Sequence, residues 1–237
     1  MDTRVHSATP ITLTAAGTWR GARRMFAVAV FVIPFGTAFG VAAIEKGMSV
    51  TQIVVMSMVV FSGAAQFASL DFWQSPVAYG SLALVALAVN ARHIIMGAAL
   101  SSHVNALPLG PRVFALSVLS DANFADAQVA FRDGERDVGV LLGGGLVMWV
   151  NWVAGTTIGA LAGAVIGDPA NYGLDVVMIC FFAAIVAGQL GRDRSAILPV
   201  AVAAFVAFVT LDVLPTGWNV IVAAFAGGVV NVVRHAR

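Results

Sequence analysis

Two basic side chains lie next to each other inside an apolar stretch of the sequence. The run VNARHIIMG, residues 89–97, contains Arg92 and His93 between uncharged neighbours. A charge at bilayer depth costs about 2.5–3.5 kcal/mol on insertion scales, so such residues are few and usually functional. The run LSDANFA supplies a carboxylate, Asp121, in the next apolar segment. The sequence therefore predicts an Arg92–Asp121 pair, acting either as a static bridge between two segments or as part of a functional site.

The composition indicates the class of protein that positions this pair. Hydrophobic residues form 59% of the 237 positions, charged residues form 11%, and the mean hydropathy is +0.91. These values are typical of an all-α integral membrane protein. Lys and Arg number 13 against 12 Asp and Glu, so the net charge gives no reason to expect a nucleic-acid partner.

Enzyme and metal chemistry are not expected. The chain has one cysteine, Cys180, and four histidines, and it contains neither an HExxH nor a GxSxG motif. Metal sites and nucleophile–base sets need residues of these types at defined spacings. We therefore predict no enzymatic activity, no metal site and no cofactor.

Eight apolar segments are candidates for membrane-spanning helices. They cover residues 24–44, 50–70, 77–100, 113–131, 138–166, 174–190, 195–213 and 217–233. The fourth contains several polar side chains that do not share one helix face, so it must be buried, broken or re-entrant. If all eight cross, every arginine cluster falls on one side, which places both termini in the cytoplasm.

The predicted domain organisation is a tail followed by one membrane domain. Residues 1–20 are expected to form a flexible cytoplasmic tail, and residues 21–237 a single polytopic domain. The run PFGTAFG, residues 34–40, is echoed by VAGTTIG, residues 153–159. This echo predicts two repeated four-helix halves, at about 21–131 and 138–233, as in many secondary transporters. Proline inside the first segment predicts a broken helix at Pro34, Phe35 and Gly36, which either packs as a kink or lines a site.

Several motifs, taken together, resemble one family. PFGTAFG, FSGAAQF, VNARHIIMG, LSDANFA, GTTIGALAG and GLDV occur in the order found in the AzlC family, and the resemblance runs from about residue 21 to 228. It implies a bacterial inner-membrane permease that exports valine, leucine, isoleucine or methionine, driven by an ion gradient, with a small AzlD-type subunit. Family members usually carry Asp-Glu where this chain has Asp121-Ala122, so a role assigned to a carboxylate pair does not transfer.

A zwitterionic substrate makes defined demands on its site. Its carboxylate needs helix N–H groups or an arginine, its ammonium needs carbonyls or a carboxylate, and its side chain needs an apolar pocket. The predicted proton-coupling residues are Asp121, His93 and Asp126. The alternative function is a channel or facilitator for small zwitterionic or neutral solutes. The predicted substrate-binding residues are Pro34, Phe35, Gly36, Gln66, Asn90, Arg92 and Asp121.

Overall fold

The computed structural model describes most of the chain. The described residues are 10–70, 72–73, 79–166, 194–214 and 218–235, together with 183, 186–188, 190 and 191. Their regular secondary structure is helical, with one isolated parallel bridge between Thr12 and Asp137. The predicted all-α class is therefore confirmed for this part of the chain. The sixth predicted span, 174–190, lies almost wholly outside it.

In the described part of the chain, the α-helices are numbered in chain order. They are α1 (Ala15–Glu45), α2 (Val50–Val60), α3 (Gly63–Leu70), α4 (Tyr79–Asn90), α5 (Arg92–Ala99), α6 (Ser101–Val104), α7 (Leu109–Ser117), α8 (Asp121–Arg132), α9 (Gly139–Ile166), α10 (Ile197–Val209) and α11 (Trp218–His235). Among the described residues, three helical stretches are long and apolar enough to cross a membrane, namely Ala15–Glu45, Tyr79–Ala99 and Gly139–Val165. The count of eight spans stays a prediction.

Helices α1 and α9 form the central scaffold, and they run parallel along their whole length. Their close approach depends on glycines, because a Cβ atom at Gly40 would lie 2.3 Å from the carbonyl oxygen of Thr156. A Cβ atom at Gly159 would lie 2.0 Å from the carbonyl oxygen of Thr37. Small residues allow this backbone contact in membrane helices. The two segments that the predicted repeat makes equivalent are therefore neighbours, although the repeat itself stays a prediction.

The predicted helix break at Pro34, Phe35 and Gly36 is wrong. Helix α1 continues through Pro34 from Ala15 to Glu45. Proline removes one helical hydrogen bond, but packing against a neighbouring helix compensates for this loss inside membranes. Here α9 supplies the support, since a Cβ atom at Gly36 would lie 2.8 Å from the carbonyl oxygen of Trp152.

Two other predicted spans are interrupted near their centres. The second is divided into α2 and α3 at Phe61, whose backbone adopts a left-handed conformation with φ 36° and ψ 48°. The fourth is divided into α7 and α8, and Ser120 caps the N-terminus of α8. A broken helix was one of the three possibilities that the sequence left open for this segment. The third span is only distorted, because Ala91, between α4 and α5, keeps right-handed helical dihedrals.

Candidate functional site

A cavity of about 350 Å³ lies where these interruptions meet. We call it the central cavity. Val28 and Val32 line it from the middle of α1, so it lies near half the depth of that helix. Midplane cavities formed by interrupted helices are typical of secondary transporters. Its lining residues are Val28, Val32, Phe35, Phe61, Ser62, Gly63, Ala64, Arg92, His93, Ser120, Asp121, Ala122, Met148 and Trp152.

Arg92 and Asp121 form an ion pair at the cavity wall. An Nη1 atom of Arg92 lies 2.9 Å from Oδ2 of Asp121. The contact that the sequence predicts between these residues is therefore present. Their side chains remain 41% and 61% exposed, so both charges can contact a molecule in the cavity. Nε of Arg92 is buried and has no hydrogen-bond partner in the described part of the chain.

The N-terminus of α8 fixes the position of Asp121. Ser120 and Asn123 form a capping box, and Asp121 lies in the first helical turn. The side-chain amide of Asn123 donates to the carbonyl oxygens of Val118 and Leu141, each at 3.1 Å. These bonds tie the start of α8 to α9. A carboxylate in the first turn is also stabilised by the helix dipole.

The N-terminal end of α3 forms another part of the cavity wall. The first N–H groups of a helix have no intrahelical acceptor, and Ser62, Gly63 and Ala64 line the cavity at this end of α3. Ser62 is 5% exposed, and its hydroxyl has no hydrogen-bond partner among the residues that the structure describes. A buried hydroxyl without a partner is costly, so an unpaired one beside free N–H groups indicates a place for an anion.

His93 connects the two distorted segments beside the cavity. Its Nδ1 lies 3.2 Å from the carbonyl oxygen of Asn90, and its Nε2 lies 3.3 Å from the carbonyl oxygen of Leu119. The ring therefore joins the end of α4 to the residues just before α8. Asn90 contributes this backbone contact but does not line the cavity, and its side-chain oxygen is buried without a partner within the described ranges.

Gln66 lies behind the cavity and not in its wall. The indole N–H of Trp152 donates to Oε1 of Gln66 at 2.8 Å, and the Gln66 amide donates to the Ser57 hydroxyl at 2.9 Å. Ser57 in turn donates to Thr156 at 3.2 Å. Gln66 is completely buried, and this network accounts for its carbonyl oxygen and one amide hydrogen. Its role in the structure is to hold α2 and α3 against α9.

The residues from PFGTAFG fall on different faces of α1. Phe35 lines the central cavity, whereas Pro34 and Gly36 do not. The rest of the apolar wall includes Val32, Phe61 and Met148. The cavity lining therefore combines the charged pair of Arg92 and Asp121 with apolar side chains from α1, Phe61 and α9.

Asp126 is not brought to the Arg92–Asp121 pair. It accepts hydrogen bonds from Nε and Nη2 of Arg24, the shortest at 2.8 Å. Arg24 lies on α1, one helical turn before Val28 in the cavity wall. Asp126 therefore joins α8 to α1 between the cavity and the predicted cytoplasmic side.

A network of carboxylates continues from this point to the start of α9. Arg20 lies 3.0 Å from Glu135 and 3.5 Å from Asp137. Asp137 accepts hydrogen bonds from the hydroxyl and N–H groups of Thr14 and from the N–H of Gly139. Burial alone would raise the pKa of Asp137, but these donors and Arg20 hold that pKa below its ordinary value of 3.8. The pKa of Glu135 is lowered against the same effect of burial by backbone N–H groups and Arg20.

Ser62, Met148 and Trp152 are cavity residues that sequence reasoning did not select. Ser62 occurs in the motif FSGAAQF, one helical turn before the predicted Gln66. It lines the cavity at the interruption of the helix at Phe61, which the sequence does not indicate. Within the described part of the chain, no group of three His, Cys, Asp or Glu side chains is placed to hold a metal ion.

Comparisons with known proteins agree with this architecture. An uncharacterised membrane protein of Archaeoglobus fulgidus is 32% identical over 213 residues, which cover 85% of this chain and 88% of the relative. The inner membrane protein YgaZ of Escherichia coli K12 is 27% identical, with 89% of each chain covered. The branched-chain amino acid transport protein AzlC of Bacillus subtilis 168 is 24% identical, with 67% of this chain and 62% of the relative covered.

No solved structure matches the chain. The AzlC protein family matches residues 27–166, a range that includes the second, third and fourth predicted spans and every residue that lines the central cavity. That match covers more than half of the sequence. The chain therefore belongs to the AzlC family.

Proposed function

We propose that this protein exports branched-chain amino acids across the bacterial inner membrane by ion-gradient-driven secondary transport. The observation that carries the proposal is the central cavity, whose lining combines an Arg–Asp pair, the N-terminal end of α3 and several apolar side chains. Family membership supports a role in membrane transport. The B. subtilis relative, whose name refers to branched-chain amino acid transport, supports the choice of substrate.

The two charges of the cavity match the two charges of the substrate. Arg92 and Asp121 sum to zero, as do the carboxylate and ammonium groups of an amino acid. The substrate carboxylate binds Arg92, the Ser62 hydroxyl and the N-terminus of α3, where the helix dipole favours an anion. The ammonium group binds Asp121. The aliphatic side chain lies against Phe35, Phe61 and Met148.

Coupling to a proton follows from competition for Asp121. The ionised carboxylate of Asp121 binds the substrate ammonium group, whereas a protonated Asp121 cannot, so the proton and the amino acid occupy the site alternately; Arg92, which pairs with the ionised form, is the switching partner. His93 lies beside the pair and is a relay candidate. Asp126 lies about 7.5 Å farther along α8, toward the predicted cytoplasmic side. Inward proton movement along this route would drive outward movement of the amino acid.

Assembly and orientation belong to the same proposal. Both termini lie in the cytoplasm, and a small AzlD-type subunit binds the lipid-facing helix surfaces. Two large apolar side chains on α5 are exposed, Ile94 at 76% and Ile95 at 73%. They supply apolar area for lipid or for a partner helix.

Transport in vesicles tests the proposal. The chain, co-expressed with an AzlD-type subunit, is reconstituted into liposomes loaded with unlabelled valine, and entry of labelled valine is measured. We expect labelled valine to enter preloaded vesicles faster than vesicles without internal valine. We also expect a proton gradient to drive valine against its own concentration gradient. Entry that depends on neither preloading nor a proton gradient would favour the channel alternative. Absence of any amino-acid movement with the folded complex would refute the proposal.

A further inference from the structure

We infer that Phe61 sets the size limit for the side chain of the transported amino acid. This inference rests on the proposed function and assigns one residue of the same cavity to substrate selection. Phe61 lines the same cavity as the Arg92–Asp121 pair and lies next to Ser62 at the N-terminus of α3. In the proposed binding mode, the aliphatic side chain of the substrate lies against the Phe61 ring.

The backbone at Phe61 is unusual for a large side chain. Its φ of 36° and ψ of 48° are left-handed, and it is the non-glycine residue with positive φ in the described part of the chain. Such a conformation is disfavoured for a bulky L-residue and tends to be retained at functional sites. Glycine would adopt it without strain. The sequence thus keeps an aromatic ring at a position where the backbone favours glycine.

The Phe61 ring also holds a central position in the packing. It packs against three separate core clusters, one around α5 to α9, one between α1, α2 and α9, and one around Met25 and Met148. Contacts in several directions fix the ring, so it forms a rigid boundary of the cavity. A rigid wall discriminates by size, and each methylene gained or lost in such a pocket changes discrimination by about 10–200-fold.

The test compares amino-acid binding by variants of the complex. Wild type, Phe61→Leu, Phe61→Ala and Phe61→Gly are purified with the co-expressed subunit, and the Kd values for valine and phenylalanine are measured. Phe67→Leu is the matched control, because Phe67 lies on α3, stacks edge-on against Phe39 at 5.4 Å and does not line the cavity. We expect wild type and the control to prefer valine. The preference for valine over phenylalanine should fall at least about tenfold in Phe61→Ala and Phe61→Gly.

The glycine and alanine variants separate the ring from the backbone. Both remove the ring, but only glycine suits the left-handed backbone, so Phe61→Gly should melt at a higher temperature than Phe61→Ala. An unchanged preference for valine in the folded Phe61 variants would overturn the inference while leaving the proposed function intact. If Phe61→Ala and Phe61→Gly do not fold, Phe61→Leu decides. A folded wild-type complex that binds no amino acid would overturn the proposed function and this assignment together.

Discussion

Removing one charge of the Arg92–Asp121 pair should destabilise the protein unequally, depending on which charge remains. The perturbations are Arg92→Met, which keeps an unbranched apolar stem, Asp121→Asn, which keeps the shape, and the double variant. The pair is 2.9 Å apart and about half exposed. It should therefore contribute about 1–3 kcal/mol, between the values for surface pairs and for fully buried pairs.

The structure predicts the sign of the asymmetry. In Arg92→Met, the remaining carboxylate of Asp121 still lies in the first turn of α8, where the helix dipole contributes about 0.3–1 kcal/mol. In Asp121→Asn, the remaining guanidinium of Arg92 loses its anionic partner and keeps at most a neutral amide oxygen, and its Nε is already buried without a partner among the described residues. An unsatisfied charged donor costs more than a neutral one. We expect losses of about 1 kcal/mol for Arg92→Met and about 2 kcal/mol for Asp121→Asn.

Thermal unfolding of the purified complex in a mild detergent measures these losses. A change of 1 kcal/mol shifts Tm by about 2–4 °C for a chain of this size, so decreases near 3 °C and 6 °C are expected. The double variant should unfold above Asp121→Asn, since it leaves neither charge unpaired. Decreases that simply add in the double variant would refute the pairing. A larger decrease for Arg92→Met than for Asp121→Asn would refute the role assigned to the N-terminus of α8.

Three further predictions concern the scaffold, the carboxylate network and the topology. Gly159→Ala should lower Tm because its Cβ would lie 2.0 Å from a backbone oxygen of α1, whereas Gly97→Ala, with nothing within 4 Å, should not. Because folding lowers the pKa of Asp137, its carboxylate stabilises the protein above about pH 4, and this stabilisation is lost as the pH falls further. The Tm of Asp137→Asn should therefore fall less on acidification than the Tm of the wild type. In a Cys180→Ala background, an impermeant thiol reagent applied outside should label a cysteine at Gly47 but not one at Gly134; labelling of Gly134 would mean that the fourth segment does not cross.

The ion pair was predictable because a charged side chain at bilayer depth is stabilised by an oppositely charged partner. An arginine and a carboxylate in adjacent apolar segments each lower the cost of the other, so their contact follows from residue type and depth. The close contact of α1 and α9 agrees with the small residues of both helices, since repeated glycines permit close helix contact. Both features depend on local chemistry that the sequence displays directly.

Other features depend on the surroundings of a residue. Proline at position 34 has the usual signature of a break, yet packing of Gly36 against α9 keeps α1 continuous. No sequence signal places a left-handed backbone at a phenylalanine, so the interruption at Phe61 was not anticipated. Gln66 looked available for a substrate, but Trp152 and Ser57 bind it inside the protein.

Protection of the cavity by substrate tests the central claim most directly. A cysteine replaces Val32, which lines the cavity, in the Cys180→Ala background, and the rate of its alkylation by a small maleimide is measured. At a valine concentration ten times its Kd, the rate should fall about tenfold, and lysine should have no such effect. The same protection should be lost when Arg92→Met is added. Alkylation that valine does not slow, in a complex that transports valine, would show that the amino acid binds elsewhere.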